Sequence, residues 1–397
     1  MPIRFPGKAA ISLGLAIAAL VAAASPAAAQ APAPPPATPP VTPSVLNGDA
    51  MWIWETWRAN HGNAGAIARK AKRYGIETVI VKGSDGRRRW EQFSRPFVRR
   101  LKAAGLHVCA YQFLYGVHPG SEANIGVRLA RTGADCLLLD AEGDYEGRYW
   151  QAQFYLRRLR ARLGPDYPLA LAGFPYVHYH PGYPYSVFLG PGGAQLNVPQ
   201  VYWKAIGTSV DHALSITYRY NGVYGRPILP LGQVYENPST RQIKRFRLLS
   251  NAYGAQGVSW WSWQHSNTRE WRAISSPLGS TLFPPATRYP TLGRGARGDL
   301  VVWAQQHLLS AGEKVKVDGV FGSRMRTAVK SFQFLLGLPA PGKIGPRTWQ
   351  ALMTHPAAAV SWSRRGRAKA VSATSGRPAP RSASLPAVRN ELGRHPH

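Results

Sequence analysis

The acidic residues of this chain gather at the end of one apolar run. Residues 137–139 are leucines, and the carboxylates of Asp140, Glu142, Asp144 and Glu146 follow within seven positions. In a β-strand, residues two positions apart point to the same side, so Asp140 and Glu142 would share one face. Many barrel enzymes place a general acid and a general base on paired carboxylates at the C-terminal end of a buried strand. The alternative is a strand that runs into an acidic, solvent-exposed loop.

The chain as a whole is strongly basic. It contains 49 Lys and Arg against 19 Asp and Glu, a formal net charge of +30, which predicts an anionic partner or surface. Nucleic acid fits the charge but not the N-terminus, where Arg4 and Lys8 precede an apolar stretch at 9–24 and alanines at 27–29. This pattern is typical of a secretory signal peptide covering residues 1–29. We therefore expect a secreted protein, extracellular or periplasmic, that meets anionic cell-wall polymers and no nucleic acid.

No membrane span is expected after the signal peptide is cleaved. The apolar stretch at 9–24 is itself short for a span, and no other run approaches the roughly 20 apolar residues that a transmembrane helix needs. An uncleaved N-terminal anchor is the alternative.

A closed barrel of alternating strands and helices is predicted for residues 46–275. Strand-like runs alternate with helical patterns, which are clear up to Gly173 and weaker beyond it. The predicted strands are 51–54, 78–82, 107–113, 136–140, 169–173, 198–203, 228–233 and 257–263. Alternation favours a parallel sheet, and eight strands within about 230 residues suit a (β/α) TIM-like barrel, an α/β fold. An open doubly wound sheet is the alternative, although no Gly-rich phosphate loop follows the first strand.

Proline-rich and basic segments separate and follow the globular regions. Residues 30–45 and 276–291 are predicted to be linkers, because proline-rich sequence favours extended backbone without a core. A small all-α domain is expected at 292–354. Residues 355–397 are rich in Ala, Ser, Pro and Arg, which predicts a basic, disordered tail.

Cys109 and Cys136 are the two cysteines of the chain, and each lies in an apolar, strand-like run. A disulfide between neighbouring strands is one interpretation for an exported protein. Two buried, reduced core cysteines are the interpretation that we favour from the sequence. Two cysteines cannot form a disulfide scaffold, so stability must come from hydrophobic cores.

The small domain shows the pattern of three short helices, with apolar stripes and glycine turns between them. Its most distinctive stretches are Val-Asp-Gly-Val-Phe-Gly at 317–322 and Thr-Ala-Val-Lys-Ser-Phe-Gln at 327–333. They resemble the type 1 peptidoglycan-binding domain, a three-helix module of cell-wall hydrolases. Pro-Ala-Pro-Gly at 339–342 departs from that family, in which an Asp-Gly pair usually leads this turn.

This resemblance implies peptidoglycan as a partner and association with the cell wall. In the family the ligand groove lies between helices. Candidate contacts at this groove are Asp318, Gly319, Arg326 and Arg347.

The central region also resembles a known family, through the order of its strand ends. Lys82 and Asp85 end one strand, Tyr111 lies in the next, and Asp140-Ala-Glu142 ends the fourth. This order resembles the family-25 glycoside hydrolases, lysozyme-like muramidases built on an irregular (β/α) barrel. The resemblance implies that Glu142 is the general acid and Asp140 its partner, since glycosidic cleavage needs a protonated acid beside a carboxylate.

Further strand-end residues are candidate substrate contacts, because aromatic rings suit the C–H faces of sugars and leave polar tips free. These candidates are Lys82, Asp85, Tyr111, Tyr202, Trp203, Gln233, Trp261 and Trp263. Neither a metal site nor a cofactor is expected, since the histidines lack a convincing metal-ligand spacing.

Two departures from the muramidase pattern support a rival interpretation. The family carries an Asp on the first strand, where residues 51–56 offer only Glu55, and no acid is evident at 200–204. A non-catalytic peptidoglycan-binding or scaffold protein with a degenerate barrel would show these losses, whereas the intact Asp140-Ala-Glu142 favours an enzyme. The sequence therefore predicts a secreted, wall-associated glycoside hydrolase that cleaves peptidoglycan glycan strands, with the scaffold protein as the alternative.

Overall fold

The computed structural model describes residues 44–286 and 288–371. The predicted signal peptide, most of the first predicted linker and the end of the predicted tail lie outside these residues. Within them, no helix combines the length and the apolar character that a membrane crossing requires.

Ten strands of the central region form one sheet. They are β1 Gly48–Ile53, β2 Ile76–Asp85, β3 Arg88–Arg89, β4 His107–Leu114, β5 Cys136–Ala141, β6 Leu169–Ala172, β7 Leu196–Asn197, β8 Gln200–Val201, β9 Leu231–Gln233 and β10 Gly257–Trp261. Their hydrogen-bonded order is β7-β6-β5-β4-β2-β1-β10-β9-β8, and β3 pairs only with β2, as an antiparallel hairpin. All the other pairs are parallel.

The barrel closes where Pro199 interrupts the chain between β7 and β8. β7 pairs with β6 while β8 pairs with β9, so the segment 196–201 joins the two edges of the sheet. A parallel bridge between Asn197 and Ile228 lies at the same junction. If β7 and β8 count as one position and β3 is left out, eight parallel strands surround the axis in the described part of the chain. The predicted TIM-like barrel is therefore confirmed.

Strand parity divides the barrel side chains between two cores. On β5, Leu137 and Leu139 pack outward against the surrounding helices, while Cys136 and Leu138 face the barrel interior. Asp140 has the parity of Leu138 and therefore points inward as well. The uninterrupted apolar character of this strand follows from its burial on both faces.

Eight helices surround the barrel in the described region, and three more form the C-terminal module. The first group is α1 Ala64–Arg73, α2 Arg95–Ala103, α3 Pro119–Arg131, α4 Tyr149–Leu163, α5 Tyr185–Phe188, α6 Val210–Asn221, α7 Thr240–Ala252 and α8 Thr268–Ser275. The second is α9 Asp299–Ser310, α10 Ser323–Leu335 and α11 Pro346–Met353. Polar caps set several starts: Ser94 accepts from the Phe97 N–H at α2, and Ser239 with Gln242 forms a capping box at α7.

The C-terminal module (α9–α11) packs directly on the barrel. α5 spans only four residues, so it covers little of the barrel side that follows β6, and α9 lies against it. Trp303 of α9 donates its Nε1–H to the Val223 carbonyl at 2.7 Å, and Gly190 lies against the same indole. All ten residues from Asp299 to Leu308 are buried. Module and barrel therefore share one hydrophobic core.

A carboxylate is buried at this junction. Asp299 is 0% exposed. Its Oδ2 accepts from the Ser186 N–H at 2.8 Å and from the Tyr224 hydroxyl at 2.7 Å, and its Oδ1 accepts from the Ser186 hydroxyl at 2.6 Å. Burial raises the pKa of Asp299 to about 6, although these hydrogen bonds act in the opposite direction. The first residue of α9 is thus held by the barrel.

The segment predicted as a disordered tail begins with an ordered hairpin, which corrects that expectation for residues 355–371. β11 Val360–Trp362 pairs antiparallel with β12 Ala368–Ala370. Gln153 of α4 donates to the Val360 carbonyl at 2.7 Å and accepts from the Trp362 N–H at 2.9 Å. The Trp362 ring lies 4.2 Å from Tyr149. The polar composition of the segment conceals these few anchoring residues.

Cys109 and Cys136 form a disulfide, so the reduced pair that we favoured from sequence is wrong. The two cysteines are directly opposite in the parallel β4–β5 pair, with their Cα atoms 4.7 Å apart. Both point into the barrel interior. Strand register, which the sequence did not supply, brings their sulfur atoms together.

Asp299→Asn should remove a pH dependence of stability. Because the pKa of Asp299 rises from 3.8 to about 6 on folding, the folded protein binds this proton more tightly than the unfolded chain. The contribution of Asp299 to stability should therefore fall as pH rises from about 4 to about 6 and level off above, so the variant should gain roughly 3 kcal/mol relative to the wild type across that interval.

The measurement is thermal unfolding of both proteins between pH 4 and pH 7. The difference in stability between wild type and variant at each pH removes the contribution of the other titrating groups. The exposed Asp166→Asn is the control for the same chemical change. Parallel stability curves for the wild type and Asp299→Asn would contradict the prediction.

Candidate active site

Two carboxylates stand at the C-terminal end of the fourth barrel strand. Asp140 is the penultimate residue of β5 and is 7% exposed, and Glu142 follows the strand and is partly exposed. Gln200 reaches them from β8: its Nε2 donates to Asp140 Oδ1 at 3.2 Å and to Glu142 Oε1 at 3.0 Å. One amide nitrogen thus bridges both acids, which brings them within reach of the same small group.

The pKa of Asp140 is raised well above its usual value. Burial is the largest cause, and the neighbouring negative charge of Glu142 adds to it, while Lys82 and the hydrogen bond from Gln200 act in the opposite direction. Asp140 therefore keeps its proton to a higher pH than an ordinary aspartate. A carboxyl pair in which one member retains a proton is suited to acid and base chemistry.

A cavity of about 500 Å³ opens above this pair. Its lining is Trp52, Trp54, Lys82, Tyr111, Phe113, Asp140, Glu142, Phe174, Pro175, Gln200, Tyr202, Ala205, Ile206, Leu231 and Trp261. Trp52, Tyr111 and Trp261 pack edge-on or tilted to one another, with ring centroids 4.7 to 5.9 Å apart. A mostly aromatic wall above an acidic floor suits a ligand with both C–H faces and hydroxyl groups.

Lys82 forms part of the cavity wall and is itself held in place. Its Nζ donates to Asp85 Oδ2 at 2.6 Å and lies 4.7 Å from the centre of the Trp90 ring. The Tyr115 hydroxyl donates to Asp85 Oδ1 at 2.7 Å. Partial burial alone would raise the pKa of Asp85, but these two hydrogen bonds lower it below its usual value. Asp85 is therefore a charged brace behind Lys82.

The structure brings four of the eight predicted substrate contacts into the cavity lining: Lys82, Tyr111, Tyr202 and Trp261. Asp85 stands behind them, as described. The remaining three lie elsewhere.

Trp203, Gln233 and Trp263 are buried for other reasons. Trp203 has the opposite parity to Tyr202, so it packs outward with its ring 5.2 Å from Phe246. Gln233 accepts from the Lys204 N–H at 2.7 Å and so braces a loop. Trp263 follows the end of β10 and packs 4.9 Å from Trp271.

Several cavity residues were missed from sequence. The sequence indicates Gln200 only as a strand end, and its i, i+2 spacing from the candidate Tyr202 is the signal that points to the cavity. Trp54 lines the cavity just beyond the first strand. Glu55, the acid that the sequence offers there, pairs with Arg58 at 3.4 Å and is not in the lining.

The loop after β5 supports one wall through a second acid. Glu146 Oε1 lies 3.1 Å from His180 Nδ1. The His180 ring stacks on Phe174 with centroids 3.5 Å apart, and Phe174 lines the cavity. Asp144 of the same loop is exposed. Glu146 therefore stabilises a wall and does not line the cavity.

In the C-terminal module, the four predicted contacts separate. Asp318 lines an open groove of about 570 Å³ together with Gln305. Gly319 adopts φ +68° and donates its N–H to Gln305 Oε1 at 2.9 Å, so it shapes the turn. Arg326 and Arg347 are exposed and are not part of this lining.

No cluster of three or more His, Cys, Asp or Glu residues suited to a metal ion occurs in the described ranges.

Comparison with known proteins identifies the C-terminal module. Residues 297–352 match the family profile described as "Putative peptidoglycan binding domain", which confirms the resemblance of this segment. No curated protein sequence matches the chain significantly.

Solved structures match different parts of the chain. A peptidoglycan-binding protein from Clostridioides difficile, in complex with glutamine hydroxamate, is 43% identical over 16% of this chain and 40% of its own, with a TM-score of 0.16. The mannanase catalytic domain from Streptomyces sp. SirexAA-E is 17% identical over 59% of this chain and 86% of its own, with a TM-score of 0.43. A chitinase from Chromobacterium violaceum is 13% identical over 59% and 99%, with a TM-score of 0.41.

Gln200→Ala should raise the pKa of Asp140 further. The substitution removes a hydrogen bond that favours the charged carboxylate and leaves burial and Glu142 in place. The pKa can be followed by NMR titration of protein labelled with ¹³C at the aspartate carboxyl groups. The exposed Gln350→Ala serves as the control, and an unchanged Asp140 titration in Gln200→Ala would contradict the bridging role.

Proposed function

We propose that this protein is a cell-wall glycoside hydrolase that cleaves the glycan strands of peptidoglycan, in the manner of the lysozyme-like muramidases. The observation that carries the proposal is the pair of Asp140 and Glu142, bridged by Gln200 on the floor of an aromatic cavity. The muramidase form of the proposal rests on the order of Lys82, Tyr111 and the Asp-x-Glu pair along the chain.

Glycosidic cleavage needs a protonated acid at the leaving oxygen and a carboxylate that stabilises the cationic sugar or activates water. Glu142 is the more exposed member of the pair, so a glycosidic oxygen in the cavity can reach it, and we assign it as the general acid. Asp140 lies deeper and has a raised pKa. The pair therefore shares one proton: Glu142 acts as the acid when it carries this proton, and Asp140 is then the carboxylate that stabilises the cationic sugar or activates water.

The aromatic wall supplies the binding surface for sugar rings. Trp52, Trp54 and Trp261 present ring faces and edges to the cavity, and Tyr202 adds a hydroxyl near the acids. Apolar platforms of this kind complement the C–H faces of pyranose rings, while the polar groups orient the ring hydroxyls.

Wall association follows from the C-terminal module. The family match at 297–352 suggests peptidoglycan as its ligand. The net charge of +30 would add attraction to anionic wall polymers. Secretion remains our expectation from the N-terminal pattern.

A non-catalytic scaffold protein is the second candidate function, and one observation favours it. In the described residues, Asp140 and Glu142 are the only carboxylates of the cavity lining. The first strand contributes Trp52 and no carboxylate to this lining, whereas the muramidases carry an Asp on their first strand. A barrel that had lost its chemistry could keep its sugar-binding walls.

Glu142→Gln should abolish release of reducing ends from purified peptidoglycan. The amide keeps the shape of the side chain but cannot donate a proton, so the rate should fall about 10²- to 10⁴-fold. Asp140→Asn should also release reducing ends more slowly than the wild type. Glu55→Gln makes the same change outside the cavity lining and should retain wild-type activity.

Sedimentation with purified walls is measured on the same proteins and should be unaffected. Equal release by wild type and Glu142→Gln would disprove the catalytic assignment. No release by the wild type on several walls, with sedimentation intact, would establish the scaffold function instead.

A further inference from the structure

A basic hairpin stands beside the cavity. Arg87, Arg88 and Arg89 are consecutive and exposed, and we call them the arginine rim. β2 continues past the barrel and turns back through β3, with Ser84 opposite Arg89 and Asp85 opposite Arg88. The rim therefore lies at the C-terminal ends of the strands, on the face where the cavity opens.

The hairpin that carries the rim is fixed to the barrel. The Gly86 N–H donates to the Phe113 carbonyl at 2.9 Å, and the Trp90 N–H donates to the Gly83 carbonyl at 2.8 Å. Asp85 is anchored by Lys82 and Tyr115. Gly86 adopts φ +52°, and a Cβ there would lie 2.8 Å from the Tyr115 ring. The arginines thus project from a rigid turn.

The rim guanidinium groups form no ion pair within the part of the chain that the structure describes, although the charge of Arg88 helps to lower the pKa of Asp85, its partner across the hairpin. No carboxylate there lies within 4.0 Å of a rim guanidinium. Asp85, the acid closest in sequence, is already engaged by Lys82 and Tyr115. Arg89 donates to the Phe93 carbonyl at 3.1 Å, which leaves Arg87 and Arg88 free for a ligand.

The rim continues directly from the cavity wall. Lys82 and Phe113 both line the cavity, and both contact the hairpin through Asp85 and Gly86. The site is therefore electrically polar, with an acidic floor at Asp140 and Glu142 and a basic edge on the β2 side. A ligand with an anionic substituent would bind in one orientation, its neutral sugar over the acids and its anion at the rim.

We propose that Arg87 and Arg88 form an anion-recognition site that selects glycans carrying carboxylate substituents, such as the stem peptides of peptidoglycan. Guanidinium groups bind carboxylates through paired N–H donors, which gives this contact direction as well as charge. The proposal deepens the proposed function and rests on it, because it assumes that a glycan occupies the cavity.

The test compares the binding of two ligands to a variant that does not cleave them. In a Glu142→Gln background, calorimetry measures binding of a soluble peptidoglycan fragment that retains its stem peptides and of a neutral chito-oligosaccharide with the same number of sugars. The double substitution Arg87→Gln with Arg88→Gln should weaken binding of the charged fragment roughly tenfold, as expected for the loss of two exposed ion pairs. Binding of the neutral oligosaccharide should not change.

Arg99→Gln with Arg100→Gln is the matched control, since it removes two charges that are also exposed, from α2. The control should leave the affinities for both ligands unchanged. The loss of affinity caused by the rim substitutions should be smaller in about 0.5 M salt, because salt screens the interaction between exposed charges; the screening length is already only about 10 Å at about 0.1 M. Equal loss in both double variants, or equal loss for both ligands at the rim, would overturn the proposal while glycan binding persists. If neither glycan binds to Glu142→Gln with an intact rim, the proposed function fails with it.

Discussion

The relative placement of the barrel and the C-terminal module depends on one buried carboxylate. Asp299 begins the first helix of the C-terminal module, yet its hydrogen-bond donors, Ser186 and Tyr224, belong to the barrel. Burying a carboxylate is unfavourable unless donors surround it, so the contact is stable in one relative placement of the two parts. The barrel in turn depends on the module, because the four-residue α5 is too short to cover the barrel surface after β6, and α9 covers it instead. The C-terminal module, which the sequence predicts to be a separate domain, therefore forms part of the outer layer of the barrel.

The candidate chemistry depends on barrel closure in a comparable way. Asp140 and Glu142 come from the fourth strand position, whereas Gln200 comes from the interrupted strand at which the sheet closes. The amide can bridge the acids only when that closure is complete. Pro199 donates no backbone hydrogen bond and separates β7, which pairs with β6, from β8, which pairs with β9 and carries Gln200.

Much of the fold and part of the site could be predicted from sequence. Apolar runs and helical periodicity predicted the barrel, and the i, i+2 spacing predicted that Asp140 and Glu142 would share a face. The sequence does not settle which residues of 198–203 face inward, so it predicts both Tyr202 and Trp203 as contacts, although adjacent residues of an extended chain face opposite sides. Contacts far apart in the chain were out of reach: the Cys109–Cys136 pairing needed strand register, and the hairpin at Trp362 is ordered by Tyr149, which lies more than 200 residues earlier.

The shared core of barrel and module also has a geometrical consequence. A hydrolase whose wall-binding part swings on a flexible linker can sample every bond within the length of its tether. Here the groove at Asp318 and the cavity at Glu142 belong to parts that are packed together through α9. Anchoring one would set both the distance and the direction to the other. If, as proposed, the groove binds the wall and the cavity binds glycan, the protein would act on glycan at one fixed distance and direction from its point of attachment.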